Sequence, residues 1–293
     1  MKEAAVIQAH KSHVADVLFN ADSTTLLSAG MDNLIKLWSV PDWQLTETFD
    51  GHEKSVNSVA LSLDEALLAS GSTDATVRVW AYPSGELLRT MKGHKKTVAS
   101  VAISPDGRWL ASASYDGKVV LWNLTSGEMV ATLKGHTSNV GSLAFSSDGD
   151  CLASAGLGSD ILIWSVPDGE LTSRLSRHQI AVSSLNFSPD GRLMASSGGE
   201  GTVLLWSTGD WSVVQSIEIG EGGGYPRAIA FSPDWKSMAV SLEYKVQVWS
   251  LDPTGLVEEA AVKAKGVYAL DFSPDARWLA NAAADKKVRI WEL

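Results

Sequence analysis

Cysteine, long apolar runs, helical periodicity and an excess of positive charge are what this sequence is short of, and each shortage closes a class of explanation. Cys151 is the one cysteine among 293 residues, so no intrachain disulfide can form and the fold does not require an oxidising compartment. No stretch approaches the ~18 apolar residues needed to cross a membrane as a helix. The opening Met1–Gln8 segment has too short an apolar run for a secretory signal. The expected address is the cytoplasm, with no membrane partner. Lys and Arg total 24 against 34 Asp and Glu, a net charge of −10, and such a field repels nucleic acid.

What is present is apolar material for a core, 45% hydrophobic against 20% charged, in a chain at the upper limit for one compact unit. Chains of this size split or repeat, and this one repeats. Trp38, Trp80, Trp122, Trp164, Trp206, Trp249 and Trp291 are spaced by 42, 42, 42, 42, 43 and 42 residues. Each closes a β-branched stretch such as Thr76-Val77-Arg78-Val79-Trp80, which suits a pleated, half-buried strand. An Asp stands sixteen residues before Trp in six units and fifteen before it in the unit of Asp234. In the best copies it sits in a turn, Ser104-Pro105-Asp106-Gly107 or Ser188-Pro189-Asp190-Gly191, where Pro presets φ and Gly relieves the fourth position. A second turn follows each Trp before the last, as in Val166-Pro167-Asp168-Gly169. Between the Asp turn and the Trp strand lies a strand of small residues, such as Leu110-Ala111-Ser112-Ala113-Ser114, suited to a tapering wedge near an axis. Four strands per unit result.

Gly93-His94 followed by Ser112, Asp116 and Trp122 resembles the signature of the WD-repeat family, and the resemblance covers the whole chain. The family's Asp directly after Trp is absent throughout, as at Trp38-Ser39 and Trp122-Asn123. The resemblance implies an all-β, seven-bladed β-propeller with four antiparallel strands per blade, occupying residues 1–293 as a single domain. The sequence stops two residues after Trp291, so the seventh blade needs an outer strand from elsewhere. Residues 2–8 precede His10 at the offset at which an outer strand precedes His136, and they are expected to close the last blade.

His10, His52, His94, His136 and His178 stand 28 residues before their Trp, and Ser28, Ser70, Ser112, Ser154 and Ser196 stand ten before. Asp32, Asp74, Asp116 and Asp285 stand six before. Hydrolases use the same three residue types, but a catalyst needs one activated nucleophile beside a cleft, and here the set recurs on strands expected to be buried. The resemblance implies a structural hydrogen-bond network of these groups with Trp38, Trp80, Trp122, Trp164 and Trp206. The protein is therefore expected not to be an enzyme, and no metal or cofactor is expected. The set degrades along the chain: Gly158 replaces Asp in the fourth unit, with Asp160 displaced, and Glu200 replaces it in the fifth. The sixth lacks the His and has Glu243, and the seventh has Lys263 and Asn281 for His and Ser. These last two blades are expected to rely more on packing.

Family members that grip peptides use side chains flanking the Val after the His loop and the residue before the Asp, on the rim around the central channel. Here those positions are large in the sixth, seventh and first blades: Tyr225, Arg227, Tyr268 and His13, with Leu242 and Met31 before the Asp position. Tyr115 and Leu157 add apolar surface at the same position in the third and fourth blades. Tyr and Arg are enriched in binding hot spots. The loop Gly220-Glu221-Gly222-Gly223-Gly224 lacks the Gly-Lys-Ser/Thr ending of a phosphate cradle and any following helix, so it reads as a rim loop. The expected function is a protein-protein interaction scaffold, monomeric in itself or a subunit of a larger complex, binding a protein or peptide at the rim. The competing expectation is a regulatory or sensing domain acting with a separate effector.

Overall fold

The computed structural model describes residues 1–219, 225–252 and 255–293. Among the described residues the secondary structure is β-strand, gathered into seven four-stranded antiparallel sheets, as the seven-Trp period predicted. Six blades are simple meanders from the channel outward. The third runs Val98–Ile103, Trp109–Ser114, Val119–Asn123 and Met129–Leu133, with Leu110 opposite Trp122 and Val119 opposite Leu133.

The core lies between blades. Ala69, Val77, Val79 and Met91 of the second blade meet Val98, Val101, Leu110 and Trp122 of the third in one buried cluster, and equivalent clusters recur around the ring. A third strand such as Val119-Val120-Leu121-Trp122 is buried on both faces because a neighbour covers each side, which is why it reads as a continuous apolar run. The small residues predicted to form a wedge do so: Ala111 and Ala113 are fully buried where adjacent blades converge.

The Asp turns are built from the residues that marked them. Ser104 Oγ donates to Asp106 Oδ1 at 2.5 Å and accepts the N–H of Trp109 at 2.9 Å, while Gly107 adopts φ +69°. At the equivalent place Ser23, Glu65, Trp235 and Ala276 hold the same left-handed conformation without glycine, at a cost of about 1 kcal/mol each.

The seventh sheet is closed as expected. Lys2–Ile7 lies antiparallel to Val288–Glu292, with Lys2 opposite Glu292 and Ile7 opposite Val288, across a bulge between Glu3 and Ala5. Ile7 enters a cluster that joins Val14, Phe19 and Trp38 of the first blade to Trp278, Val288 and Ile290 of the seventh.

Candidate functional site

The repeated His, Ser, Asp and Trp residues meet inside each well-formed blade. Trp38 Nε1 donates to Ser28 Oγ at 2.9 Å, His10 Nε2 lies 2.8 Å from the same oxygen, and His10 Nδ1 lies 2.7 Å from Asp32. The second blade repeats this through Trp80, Ser70, His52 and Asp74, and the third through Trp122, Ser112, His94 and Asp116. One arrangement of protons satisfies the whole chain: Trp N–H donates to Ser, Ser O–H donates to a neutral imidazole, and the imidazole Nδ1–H donates to the carboxylate. Burial pushes the His10, His52 and His94 imidazoles below their ordinary value, more than the neighbouring carboxylates raise them, and so favours that neutral form. Burial acts against the Asp74 carboxylate, yet hydrogen bonds from Thr76 and His52 hold it at about 2.

All five serines, Ser28, Ser70, Ser112, Ser154 and Ser196, are fully buried. Each hydroxyl is occupied by an indole and an imidazole, so none is presented to a substrate. The carboxylates also fasten the rim: Asp32 accepts the N–H of Lys11, and Asp116 that of Lys95, tying the loop that leads into each blade to the hairpin between its second and third strands. Replacing Ser112 by Ala leaves His94 Nε2 and Trp122 Nε1 buried without partners, and chemical denaturation is expected to show a loss of about 2 kcal/mol.

On that rim the structure assembles part of the predicted partner site. The His13 and Tyr268 rings stack at 6.0 Å with an interplanar angle of 25°, and the Arg227 guanidinium lies over Tyr268 at 5.4 Å. Half-buried Met31 is anchored beside them, its N–H donating to His13 O at 2.9 Å. Tyr225 is 64% exposed. Tyr115 and Leu157 stand apart from this group, lining a cleft with Gly156, Ala181 and Val182. Residues 220–224, read from the sequence as a rim loop, lie outside the described residues.

Leu242 does not belong to the site. It is fully buried among Val203, Ile219 and Val240. The sixth blade is one residue short between Met238 and Trp249: Val240 stands opposite Gln247, where Ser196 stands opposite Leu204 in the fifth blade. Leu242 therefore occupies the inward place held by Gly198, and the tight hairpin, closed by Leu242 N–H to Lys245 O at 2.7 Å, puts Glu243 and Tyr244 at the exposed tip.

The family model described as WD domain, G-beta repeat, matches residues 1–39, 43–81, 85–123, 127–165, 169–207 and 260–292. The chain belongs to the WD40 family. WD40 propellers are generally protein-interaction scaffolds and typically non-catalytic. No curated protein matches the chain.

The stretch of the WD40 ring left unmatched contains most of the sixth blade, where the network is gone. With Val240 in the serine place, Trp249 Nε1 and Gln247 Oε1 have no partner among the described residues. The seventh blade, expected to rely more on packing, keeps one bond of the network, because Asn281 reaches far enough to accept Trp291 Nε1–H at 2.9 Å. In the fifth blade Glu200 takes the Asp role, 2.5 Å from His178 Nδ1, while His178 Nε2 and Trp206 Nε1 meet Ser196 at 2.7 and 2.8 Å. In the fourth, Ser154 still joins His136 and Trp164, each at 2.7 Å, but Asp160 turns outward to Arg174 and Ser176, each at 2.6 Å. Burial, reinforced by the Arg174 charge, then takes His136 down to about 4.

Sequence reasoning missed two carboxylates in the WD40 channel. Asp16 accepts the N–H of Val17 and, across to the second blade, that of Val59, both at 2.9 Å. Asp271 accepts the N–H of Phe19 in the first blade at 2.7 Å. Other blades make the Asp16 link with serine, Ser58 to Val101, Ser142 to Leu185 and Ser184 to Ile229, whereas Asp271 makes its bond two places further along the strand. Comparing the repeats two residues after the first-strand Val shows Asp16 where its counterparts are Ser58, Ser100, Ser142 and Ser184, a signal that was available. Burial raises both carboxyls, Asp16 to about 6 and Asp271 to about 7, with the Asp16 charge adding to the effect at Asp271.

Proposed function

We propose that this WD40 ring is a non-catalytic platform that captures a partner protein by a peptide segment laid across the rim, with Tyr225, Arg227, Tyr268, His13 and Met31 as the main contacts. The observation that carries this reading is the stacked set of His13, Tyr268 and Arg227 at the channel mouth, with exposed Tyr225 on the adjoining backbone. Stacked aromatic and guanidinium groups offer large contact area while losing little side-chain freedom on binding. Of the loops that carry them, the one bearing His13 is tied down by the His10–Asp32 pair, which orders that part of the rim before a partner arrives.

The triple substitution Tyr225→Ala, Arg227→Ala and Tyr268→Ala is expected to abolish partner capture in affinity purification followed by mass spectrometry, with the melting curve little changed. Leu88→Glu, on an exposed outer-strand position, is the control and retains capture. Partners recovered equally by the triple variant would remove the assignment.

A further inference from the structure

Charge is spread very unevenly between the two ends of the ring. In the described turns that follow each first and each third strand, fifteen acidic residues stand against four basic ones, Arg108, Arg192, Lys236 and Arg277. At the opposite end, in the described loops leading into the blades and the hairpins between second and third strands, eleven basic residues stand against nine acidic. Four of those nine, Asp32, Asp74, Asp116 and Glu200, are turned inward to histidines and backbone N–H groups. Lys11, Lys54, Lys95, Lys96, Arg227 and Lys265 remain exposed, and among the described residues none of the six has an ion-pair partner. The overall charge of −10 therefore conceals an excess of basic residues in the described loops of this rim.

The rim is also continuous across the channel. The cleft of Tyr115, Leu157 and Ala181 shares Gly141 and Ser183 with the channel mouth, and that mouth is bounded on its far side by Arg227 and Tyr268. Beside the cleft, Tyr115, Leu157 and Ile180 are 43%, 62% and 50% exposed, an apolar group facing solvent. On the other side the guanidinium of Arg227 lies over the Tyr268 ring, and its N–H edge has no partner among the described residues, a geometry suited to a planar, two-oxygen acceptor. Asp16, on the channel wall, has both oxygens engaged by backbone N–H groups. Exposed Glu243 is the acidic residue at the tip of the sixth-blade hairpin.

We infer that the segment captured here is an extended anionic peptide of a partner protein, its acidic side chain held by Arg227 and an apolar side chain seated against Tyr115, Leu157 and Ile180. This rests on the rim reading above and adds the chemistry of the partner to it. The acidic opposite end repels the same segment, so the charge pattern also selects which face the peptide approaches.

The test uses the full chain and short fluorescent peptides in a Gly/Ser background, each carrying paired Glu residues and one Leu at varied separations, read by anisotropy. Matched sets replace Glu by Gln, by Lys or by phosphoserine, and Leu by Ala. The expected result is binding of Glu–Leu peptides at least about tenfold tighter than of Gln–Leu peptides. Arg227→Gln erases that preference, and Leu157→Ser erases the preference for Leu over Ala while keeping that for Glu; melting curves verify that both variants are folded. Phosphoserine peptides binding more tightly than Glu peptides would support the inference and identify phosphate as the source of the anion; the reverse would support it with carboxylate. Equal affinity for Glu and Gln peptides, lost in the triple rim variant, overturns the inference and leaves the rim reading standing. Acidic peptides that bind independently of Arg227, Leu157 and the triple variant overturn both. No binding of any acidic peptide, or displacement of a bound one by oligothymidine, also overturns the inference.

Discussion

Deleting residues 2–8 is expected to lower the melting temperature of the ring by roughly 10 °C or more. The segment supplies the outer strand of the seventh blade, so its loss strips the partners from the outer edge of Val288–Glu292, which keeps only its pairing with Trp278–Ala282. It also removes Ile7, which is 7% exposed and packed with Val14, Phe19 and Val288 across the junction of the last and first blades. Burial of one such side chain contributes about 2–3 kcal/mol and each ladder hydrogen bond about 1 kcal/mol. The sum approaches the whole stability margin of a typical domain. The point substitution Ile7→Ala separates packing from pairing and is expected to cost about 2–4 kcal/mol in urea unfolding. Val6→Lys is expected to be nearly neutral, since Val6 faces solvent on the same strand. A truncated chain that melted with the intact one would mean that the ring does not depend on this closure.

The closure was legible because a missing outer strand at one end and a surplus one at the other are both matters of count, and the repeat gave the count. The same arithmetic failed at Leu242. Counting back from Trp249 assumed that the sixth blade was as long as the rest between turn and Trp, and a shortened hairpin moves every residue before the tip by one place, turning a rim position into a core one. The network was legible for the same reason as the fold, since residues at fixed offsets on neighbouring strands must meet once the strands pair. The replacement at Asn281 was not, because an amide that is long enough to do the work of a hydroxyl differs from a defect only in side-chain geometry. The stacking of Arg227 and His13 on Tyr268 joins the sixth, seventh and first blades, and separation along the chain hides it from any local pattern. Asp16 and Asp271 were obscured by acidic abundance: among 34 carboxylates, two inside the channel carry no mark except their place in the repeat.

Those two carboxylates give the second large effect, a pH dependence whose sign can be worked out. Asp271 is raised to about 7 and Asp16 to about 6, chiefly by burial. The folded ring therefore keeps protons that the unfolded chain has released by about pH 4. Their contribution is fully present below that pH and is lost as pH rises through about 6 to 7. The histidines act in the opposite sense. His10, His52 and His94 are lowered and His136 reaches about 4, so the unfolded chain takes up protons first and stability falls as pH drops below about 6.5. Protonation of His10, His52 or His94 at Nε2 also destroys the acceptor that the serine hydroxyl needs. Between about pH 4 and 7 the two slopes oppose each other, and the parent protein should show a shallow dependence there. Asp271→Asn removes one limb while keeping an oxygen that accepts the Phe19 N–H. A pKa unit corresponds to about 1.4 kcal/mol, and water in the channel relaxes part of the shift, so the variant is expected to be about 2 kcal/mol more stable than the parent at pH 8. At pH 4 the two should be nearly equal. Asp16→Asn should gain less, because Asp16 uses one oxygen for Val17 and the other for Val59, and an amide can accept through only one. The charged side chains at the channel mouths, Arg227 at one and Glu65 at the other, are unchanged by either substitution. Urea unfolding across pH 4 to 8 reads the result. An Asp271→Asn variant no more stable than the parent at pH 8, or one whose advantage was the same at every pH, would show that this carboxyl does not carry a proton into the folded ring.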